Sequence, residues 1–119
     1  MTVTRIDKTL GEGPKMSRCV IKGDIVYVAG LTASDRNADI KGQTQQILDK
    51  IDYYLAQSGS DKSKLLQANL WITDMNNFSD MNSVWNSCVD TDNPPVRACV
   101  KAELAVPELL VEIMVTAYK

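Results

Sequence analysis

Hydrophobic and polar residues alternate along six short stretches of the chain and recur every three or four positions along two longer ones. Alternation is typical of strands with one buried face, and spacings of three and four are typical of amphipathic helices. The pattern predicts strands at residues 3–8, 17–22, 25–29, 65–73, 96–104 and 110–118, and helices at residues 42–57 and 78–89. The predicted order of elements is therefore β-β-β-α-β-α-β-β.

Glycine and polar residues mark the connections between these elements. Gly23-Asp24 separates the second and third strands, and this pair suits a tight hairpin turn that needs a positive φ at glycine. Gly59 follows the first helix and is predicted to end it. Residues 30–39 carry polar side chains without a periodic apolar face, which predicts a loop of the kind that often borders a binding site.

The two helices set the predicted fold class. Each helix connects two strands through a crossover, and both helices must cover the same sheet face if their apolar stripes are to be buried. We therefore predict an α/β fold, specifically an α+β two-layer sandwich, in one domain that spans residues 1–119. The other sheet face would carry Trp71, Cys99 and Met114 with no helix over it, which predicts burial against other subunits.

Composition and charge narrow the choice of partners. The 119 residues are 45% apolar and 24% charged, close to the average for globular domains, so a disordered or collagen-like chain is excluded. With 13 basic and 15 acidic residues the net charge is −2, so we expect no nucleic-acid partner. No stretch reaches the roughly 18 consecutive apolar residues of a membrane span, so we expect no membrane association. The odd number of cysteines suggests no complete disulfide framework, so we expect a cytoplasmic location.

The residue types also limit the chemistry. The chain contains no histidine, which excludes Ser-His-Asp and Cys-His machinery and His-ligated zinc. The three cysteines, Cys19, Cys88 and Cys99, form no CxxC pair, so we expect no metal site. Any catalysis must use carboxylates, Arg, Lys, Tyr, Cys, backbone groups or water.

Arg97 is the first candidate for a functional residue. It opens a strand after Asn93-Pro94-Pro95 and alternates out of the apolar row of that strand, where a guanidinium can bind a carboxylate bidentately. An ordinary ion pair with Glu103 or Glu112 is the alternative. We expect Glu112 on the same sheet face as Arg97, either as its ion-pair partner or as a carboxylate that orients or deprotonates a water molecule.

Three further residues are weaker candidates. Cys99 shares a strand face with Arg97, but without a histidine to lower its pKa it is more often a small buried hydrophobe than a nucleophile. Gly30 permits close approach of a ligand to the backbone or serves a simple turn. Trp71 and Trp85 are interpreted as packing residues rather than a base-stacking platform.

At the C-terminal end the run Asn93-Pro94-Pro95-Val96-Arg97-Ala98-Cys99-Val100, followed by Val111-Glu112-Ile113, resembles the signature of the YjgF/RidA family. The resemblance continues upstream through residues 13–14, 26–30, 43–48 and 69–75. It therefore covers nearly the whole chain.

The resemblance implies a chorismate-mutase-like fold assembled as a homotrimer, with ligand clefts between adjacent subunits. It also implies hydrolysis of reactive 2-imino and 2-enamino acids to 2-keto acids and ammonia, with no metal or organic cofactor. By the same resemblance, Arg97 would bind the substrate carboxylate and Glu112 would orient the water. Cys99, Gly30 and Asn82 would line the cleft.

The chain departs from the family pattern at the cleft entrance. Many members carry an aromatic residue just after the Gly-Pro step, where this chain has Lys15, Met16 and Ser17 with about one extra residue. Met16 and Ser17 are therefore the candidates for contact with substrate at this position. The usual Ser-Gly-Gln run appears as Ala29-Gly30-Leu31, which removes a hydroxyl and an amide.

These departures leave other functions open. The main alternative is a non-catalytic trimeric protein that binds a small carboxylate such as a 2-keto acid. RNA binding or cleavage is a third possibility, which the net charge and the absence of histidine disfavour. The charges of Lys15 and Arg18 would favour a dicarboxylate substrate if both lie at the entrance, or they simply face solvent.

Overall fold

Six strands and two α-helices follow the predicted order in a computed structural model that describes residues 2–119. Met1, which belongs to the predicted domain, lies outside the described residues. The elements are β1 (Val3–Thr9), β2 (Met16–Lys22), β3 (Ile25–Leu31), α1 (Ile40–Gln57), β4 (Leu65–Ile72), α2 (Phe78–Cys88), β5 (Val96–Lys101) and β6 (Val111–Tyr118).

The sheet has the strand order β1-β2-β3-β6-β4-β5. Neighbouring strands are antiparallel except β4 and β5, which run parallel and are connected through α2. The last strand, β6, lies between β3 and β4. Helices α1 and α2 pack against each other, and both contribute to the core over one face of this sheet. The predicted α+β two-layer sandwich is confirmed.

Local sequence explains most of the element boundaries. The hairpin glycine Gly23 has φ 60°, and Gly59 just beyond α1 has φ 77°, so both occupy the left-handed region that favours glycine. Helix α1 begins at Ile40, two residues before the predicted start, because the Asp39 carboxylate accepts a hydrogen bond from the Gly42 amide. Strand β5 ends three residues early, at Lys101, opposite the last residue of its partner β4.

The core lies between the helices and the covered sheet face. Alternate residues of β6 are fully buried, and they pack against the apolar stripe of α1. The members of these two rows are Val111, Ile113, Val115, Ala117, Ile47, Ile51 and Leu55. Each large apolar side chain buried in this way contributes about 1.5–3 kcal/mol to stability.

One buried polar residue fixes the start of β6. The Gln43 side chain is fully buried on α1, and its amide nitrogen donates to the carbonyl oxygens of Ala38 and Glu108 at 3.0 Å. Its amide oxygen accepts from the Leu110 amide at 2.9 Å. These bonds satisfy the buried amide and tie α1 to the segment that leads into Glu112.

The two rows of side chains on strand β5 lie on the opposite sheet faces from those predicted. Arg97 and Cys99 pair with the buried Ala68 and Leu70 of β4, so they lie on the helix-covered face. The apolar row of β5 therefore faces away from the helices, and its first residue, Val96, is 70% exposed. The placement of Arg97 and Cys99 on the uncovered face is wrong, because at this sheet edge the apolar row lies on that face instead.

The uncovered face nevertheless has the apolar character that the sequence predicts. Trp71 and Met114 lie on it, since they alternate with buried residues of β4 and β6. Val96, Val100, Tyr27 and Met114 are all at least 40% exposed in the single chain. Within residues 2–119, neither helix is long and apolar enough to cross a membrane.

Candidate functional site

The Arg97 side chain lies against one face of helix α2, where three residues surround its guanidinium. Phe78, Asn82 and Trp85 are spaced four and three positions apart, which places them on one helix face. The Arg97 Nη1 donates to Asn82 Oδ1 at 2.7 Å, and the guanidinium lies 5.9 Å from the Phe78 ring centroid and 5.5 Å from that of Trp85. The guanidinium is therefore oriented by a hydrogen bond and two aromatic rings.

Arg97 has no acidic partner in the part of the chain that the structure describes. Across residues 2–119 no carboxylate oxygen lies within 4 Å of its guanidinium, so the alternative of an ion pair with Glu103 or Glu112 is wrong. Arg97 is half-buried, and the side-chain acceptor that it contacts, Asn82 Oδ1, belongs to a neutral amide. This arrangement leaves a fixed positive charge able to accept a carboxylate ligand.

Cys99 lies two residues beyond Arg97 on the same face and is half-buried. Burial raises the pKa of its thiol above the ordinary value of 9.0, and the positive charge of Arg97 only partly opposes this. Cys99 is therefore a neutral thiol near pH 7, suited to packing beside a ligand rather than to attack on it.

Glu112 and Gly30 meet on the uncovered face. Strand β6 places Glu112 between the buried residues Val111 and Ile113, so its half-buried side chain points away from the helices. The pairing of β3 with β6 shifts between Val28 and Leu31, and Gly30 lies in this irregular stretch. A Cβ at Gly30 would collide with the Glu112 carboxylate, so glycine is required for the close approach.

The candidate residues therefore form two groups in one chain. The Arg97 half-site consists of Arg97, Asn82 and Cys99 beneath helix α2, and the Glu112 half-site consists of Glu112 and Gly30. The expectation that Arg97 and Glu112 share a sheet face is wrong, because strand pairing puts them on opposite faces. A ligand that touches both groups must meet them from two different chains or around a sheet edge.

Met16 and Ser17 belong to neither half-site. They begin β2 and line a shallow groove of about 610 Å³, together with Arg5, Lys8, Thr9, Leu10, Lys15 and Val20. Arg18 lines a different cavity, beside helix α1. Lys15 and Arg18 therefore do not form the shared cationic entrance that a preference for dicarboxylates would need.

Sequence reasoning missed the aromatic side of the Arg97 half-site. From the sequence, Trp85 is interpreted only as a packing residue, whereas its ring and that of Phe78 lie beside the guanidinium. The spacing of Phe78, Asn82 and Trp85 contains the signal, because a polar residue between two aromatic ones on a helix face indicates a polar partner. Another cavity, of about 510 Å³, is bounded by the loop after β5 and contains none of the candidate residues.

No group of three or more Cys, Asp or Glu side chains in residues 2–119 is arranged to hold a metal ion. The side chains of the two half-sites supply a guanidinium, a carboxylate, a thiol and an amide.

Comparison with known proteins assigns the chain to a family. The family model described as Endoribonuclease L-PSP matches residues 12–119. A RutC family protein of Haemophilus ducreyi is 41% identical over 115 residues, which cover 97% of this chain and 95% of that protein. The chain belongs to the YjgF/RutC family. The RutC family protein YoaB of Escherichia coli is 36% identical over 117 residues, covering 98% of both chains.

Solved YjgF/RutC structures agree with the fold. The YjgF family protein NMB1025 of Neisseria meningitidis superimposes with a TM-score of 0.93 at 35% identity, covering 100% of this chain and 96% of that one. Rv2704 of Mycobacterium tuberculosis, a member of the YjgF/YER057c/UK114 family, superimposes with a TM-score of 0.83 at 28% identity, covering 99% and 100%. The six-stranded sheet with two helices is thus the family architecture.

Proposed function

We propose that this YjgF/RutC protein is a hydrolytic deaminase of reactive 2-imino and 2-enamino acids, releasing 2-keto acids and ammonia. The observation that carries the proposal is the Arg97 guanidinium, which is held by Asn82 and two aromatic rings yet has no carboxylate partner within residues 2–119. A positioned guanidinium without an acidic neighbour suits a substrate that brings its own carboxylate.

The proposal includes a homotrimer in which each cleft combines half-sites from two subunits. Within one chain Arg97 and Glu112 lie on opposite faces of a single sheet, so a small imino acid cannot contact both through the sheet. The uncovered face exposes Val96, Val100 and Met114, a pattern that favours a subunit interface. Assembly would bring the Arg97 half-site of one subunit to the Glu112 half-site of its neighbour.

The proposed reaction needs only the groups of these two half-sites. Arg97 binds the substrate carboxylate and fixes the position of the imine carbon. Glu112 accepts a proton from water as the water oxygen adds to the carbon of the protonated imine, giving a neutral carbinolamine. Glu112 then gives this proton to the nitrogen, the C–N bond breaks, and ammonia leaves while the carbinolamine hydroxyl passes its proton to Glu112 and the carbon becomes a ketone. Water supplies the oxygen atom, and no electrons are exchanged with another reagent.

The direct test is the decay rate of imines generated in situ by an amino-acid oxidase from several amino acids. Wild-type protein should accelerate decay, and Arg97→Ala and Glu112→Gln should not. Arg36→Ala is the matched control, because Arg36 is an exposed arginine of the loop before α1. Equal acceleration by wild type and Arg97→Ala would contradict the proposed role of Arg97.

A non-catalytic binding protein is the second candidate, and the cleft entrance favours it. By the resemblance, the family aromatic residue falls at Lys15, Met16 or Ser17 of this chain, and these three residues line a groove with Arg5 and Lys8. If no imine decays faster with wild type, while a 2-keto acid binds wild type and not Arg97→Ala, the protein binds carboxylates without turnover.

The description of the matching family model raises RNA cleavage as well. The net charge of −2 and the lack of histidine give this chemistry no support in this chain. RNA binding that weakens steeply as the salt concentration rises, together with cleavage that depends on Arg97 or Glu112, would be the results in its favour. We expect neither.

A further inference from the structure

A second group of cationic side chains lies apart from both half-sites. Beside helix α1, the chain forms a cavity of about 280 Å³ that is lined by residues of α1, β2, β3 and the loop after β3. We name it the Arg18 pocket, and its lining residues are Arg18, Leu31, Thr32, Lys50, Tyr53 and Tyr54. None of them belongs to the Arg97 or the Glu112 half-site.

The Lys50 ammonium is fixed at this pocket. Its Nζ donates to the Thr32 carbonyl oxygen at 2.7 Å, which uses one of its three donors and leaves two for a ligand. Burial and the positive charge of Arg18 both lower the pKa of Lys50 below its ordinary value of 10.5. A bound anion would relieve the repulsion between these two cations.

Among residues 2–119, no acidic side chain forms an ion pair with Arg18 or Lys50. Within the described part of the chain neither Arg18 nor Lys50 has a carboxylate oxygen within 4 Å. Asp7 contacts the pocket wall, where its Oδ2 accepts the Tyr54 hydroxyl at 2.7 Å. Burial, together with this bond, raises the pKa of Tyr54 to about 12, so its hydroxyl remains a donor toward Asp7. An excess of positive charge is thus left in the pocket of an otherwise acidic protein.

We propose that the Arg18 pocket binds a small metabolite through an oxyanion group, phosphate or carboxylate, which bridges Arg18 and Lys50. The guanidinium offers a planar pair of donors and the ammonium a point charge, a combination suited to an oxyanion. The cavity is larger than an oxyanion alone, and the half-exposed Tyr53 ring, packed edge to face against Tyr54 at 5.1 Å, provides a wall for an organic body.

The test measures binding of inorganic phosphate and of malonate in an Arg97→Ala background, which removes the other candidate anion site. Amide chemical shifts are followed at constant ionic strength up to about 50 mM ligand, a range suited to weak binding. We expect a saturable response at residues 31–32 and 50–54. Arg18→Ala and Lys50→Ala should each weaken it at least tenfold, and Lys50→Arg should retain most of it.

Lys41→Ala is the matched control, because Lys41 is an exposed lysine of the same helix. It should leave binding unchanged. A stronger response to phosphate than to malonate would identify a phosphorylated ligand, and the reverse would identify a carboxylate. The proposal is overturned if neither anion gives a saturable response, or if the folded Arg18→Ala and Lys50→Ala variants respond as strongly as Lys41→Ala. Because Arg97 is absent throughout, this result does not depend on deaminase activity.

Discussion

The Arg97 and Glu112 half-sites are held in place in different ways. Arg97 is fixed by side chains, with the Asn82 amide and two aromatic rings of one helix around its guanidinium. Glu112 is fixed by backbone, because a strand irregularity and a residue without Cβ let its carboxylate lie against Gly30. The first group is complete within a single chain, whereas the second faces a surface that lacks a covering layer. In the proposed function, a single subunit would therefore supply the group that binds the substrate carboxylate, whereas the reaction would require assembly of the subunits.

Replacing Arg97 should produce the largest loss. Arg97→Ala removes the proposed carboxylate anchor, and we expect kcat/KM for imine hydrolysis to fall about 10³-fold, equivalent to roughly 4 kcal/mol of transition-state stabilisation. Arg97→Lys keeps the charge but not the planar pair of donors, so it should recover only part of the loss. Full activity in Arg97→Lys would show that charge alone suffices and that the Asn82 contact does not orient the group.

Mixed assemblies test whether the two half-sites come from different chains. Arg97→Ala and Glu112→Gln are each expected to be inactive alone. When the two are unfolded and refolded together, about a quarter of the clefts should combine an intact arginine with an intact glutamate if subunits associate at random. Activity near a quarter of wild type is therefore expected in the mixture. Failure of a mixture with proven subunit exchange to regain activity would contradict clefts shared between chains.

Adding one methyl group at Gly30 probes the half-site that depends on backbone geometry. Gly30→Ala puts a Cβ where the Glu112 carboxylate now lies, so the carboxylate must move. A displacement of this kind should lower kcat about tenfold or more while 2-keto acid binding is kept, because Arg97 is untouched. Gly13→Ala is the control, since a Cβ there meets no atom within 4 Å. Equal kcat values for the two variants would show that Gly30 does not determine the position of the Glu112 carboxylate.

The sequence predicts the fold more completely than the site. Alternation and helical spacing identify all six strands and both helices, and the central strands and the helices bury one row of side chains and expose the other. In β5 that rule misleads, since the apolar residues Val96 and Val100 are exposed in the single chain while Arg97 and Cys99 face α2. An apolar row that is covered by another subunit gives the same pattern as a row buried by the chain itself. The periodicity alone cannot distinguish them.

The contact between Asn82 and Arg97 should have a smaller effect, confined to the first half-site. Asn82→Ala removes the hydrogen-bond acceptor that lies 2.7 Å from Arg97 Nη1. Because Arg97 is then less well oriented, substrate binding should weaken by about 1 kcal/mol, and KM should rise several-fold with kcat little changed. Asn82→Asp would place a carboxylate beside Arg97 and should raise KM further, because an internal ion pair competes with the substrate. Unchanged KM in both variants would show that the two aromatic rings hold the guanidinium without Asn82.

Replacing Cys99 should have the smallest effect on activity. The pKa of its thiol is raised above 9.0 by burial, so no thiolate is available near neutral pH, and Cys99→Ser should keep activity within about twofold between pH 6 and 8. The raised pKa also favours the folded state only while the thiol stays protonated. Its contribution to the free energy of unfolding is present below pH 9 and is lost as the pH rises through the folded-state pKa. Denaturant unfolding of wild type and Cys99→Ser from pH 7 to 11 should show that the free energy of unfolding falls more steeply with rising pH in wild type. Identical slopes would assign this fall to other groups such as Cys19, because burial also raises the pKa of Cys19.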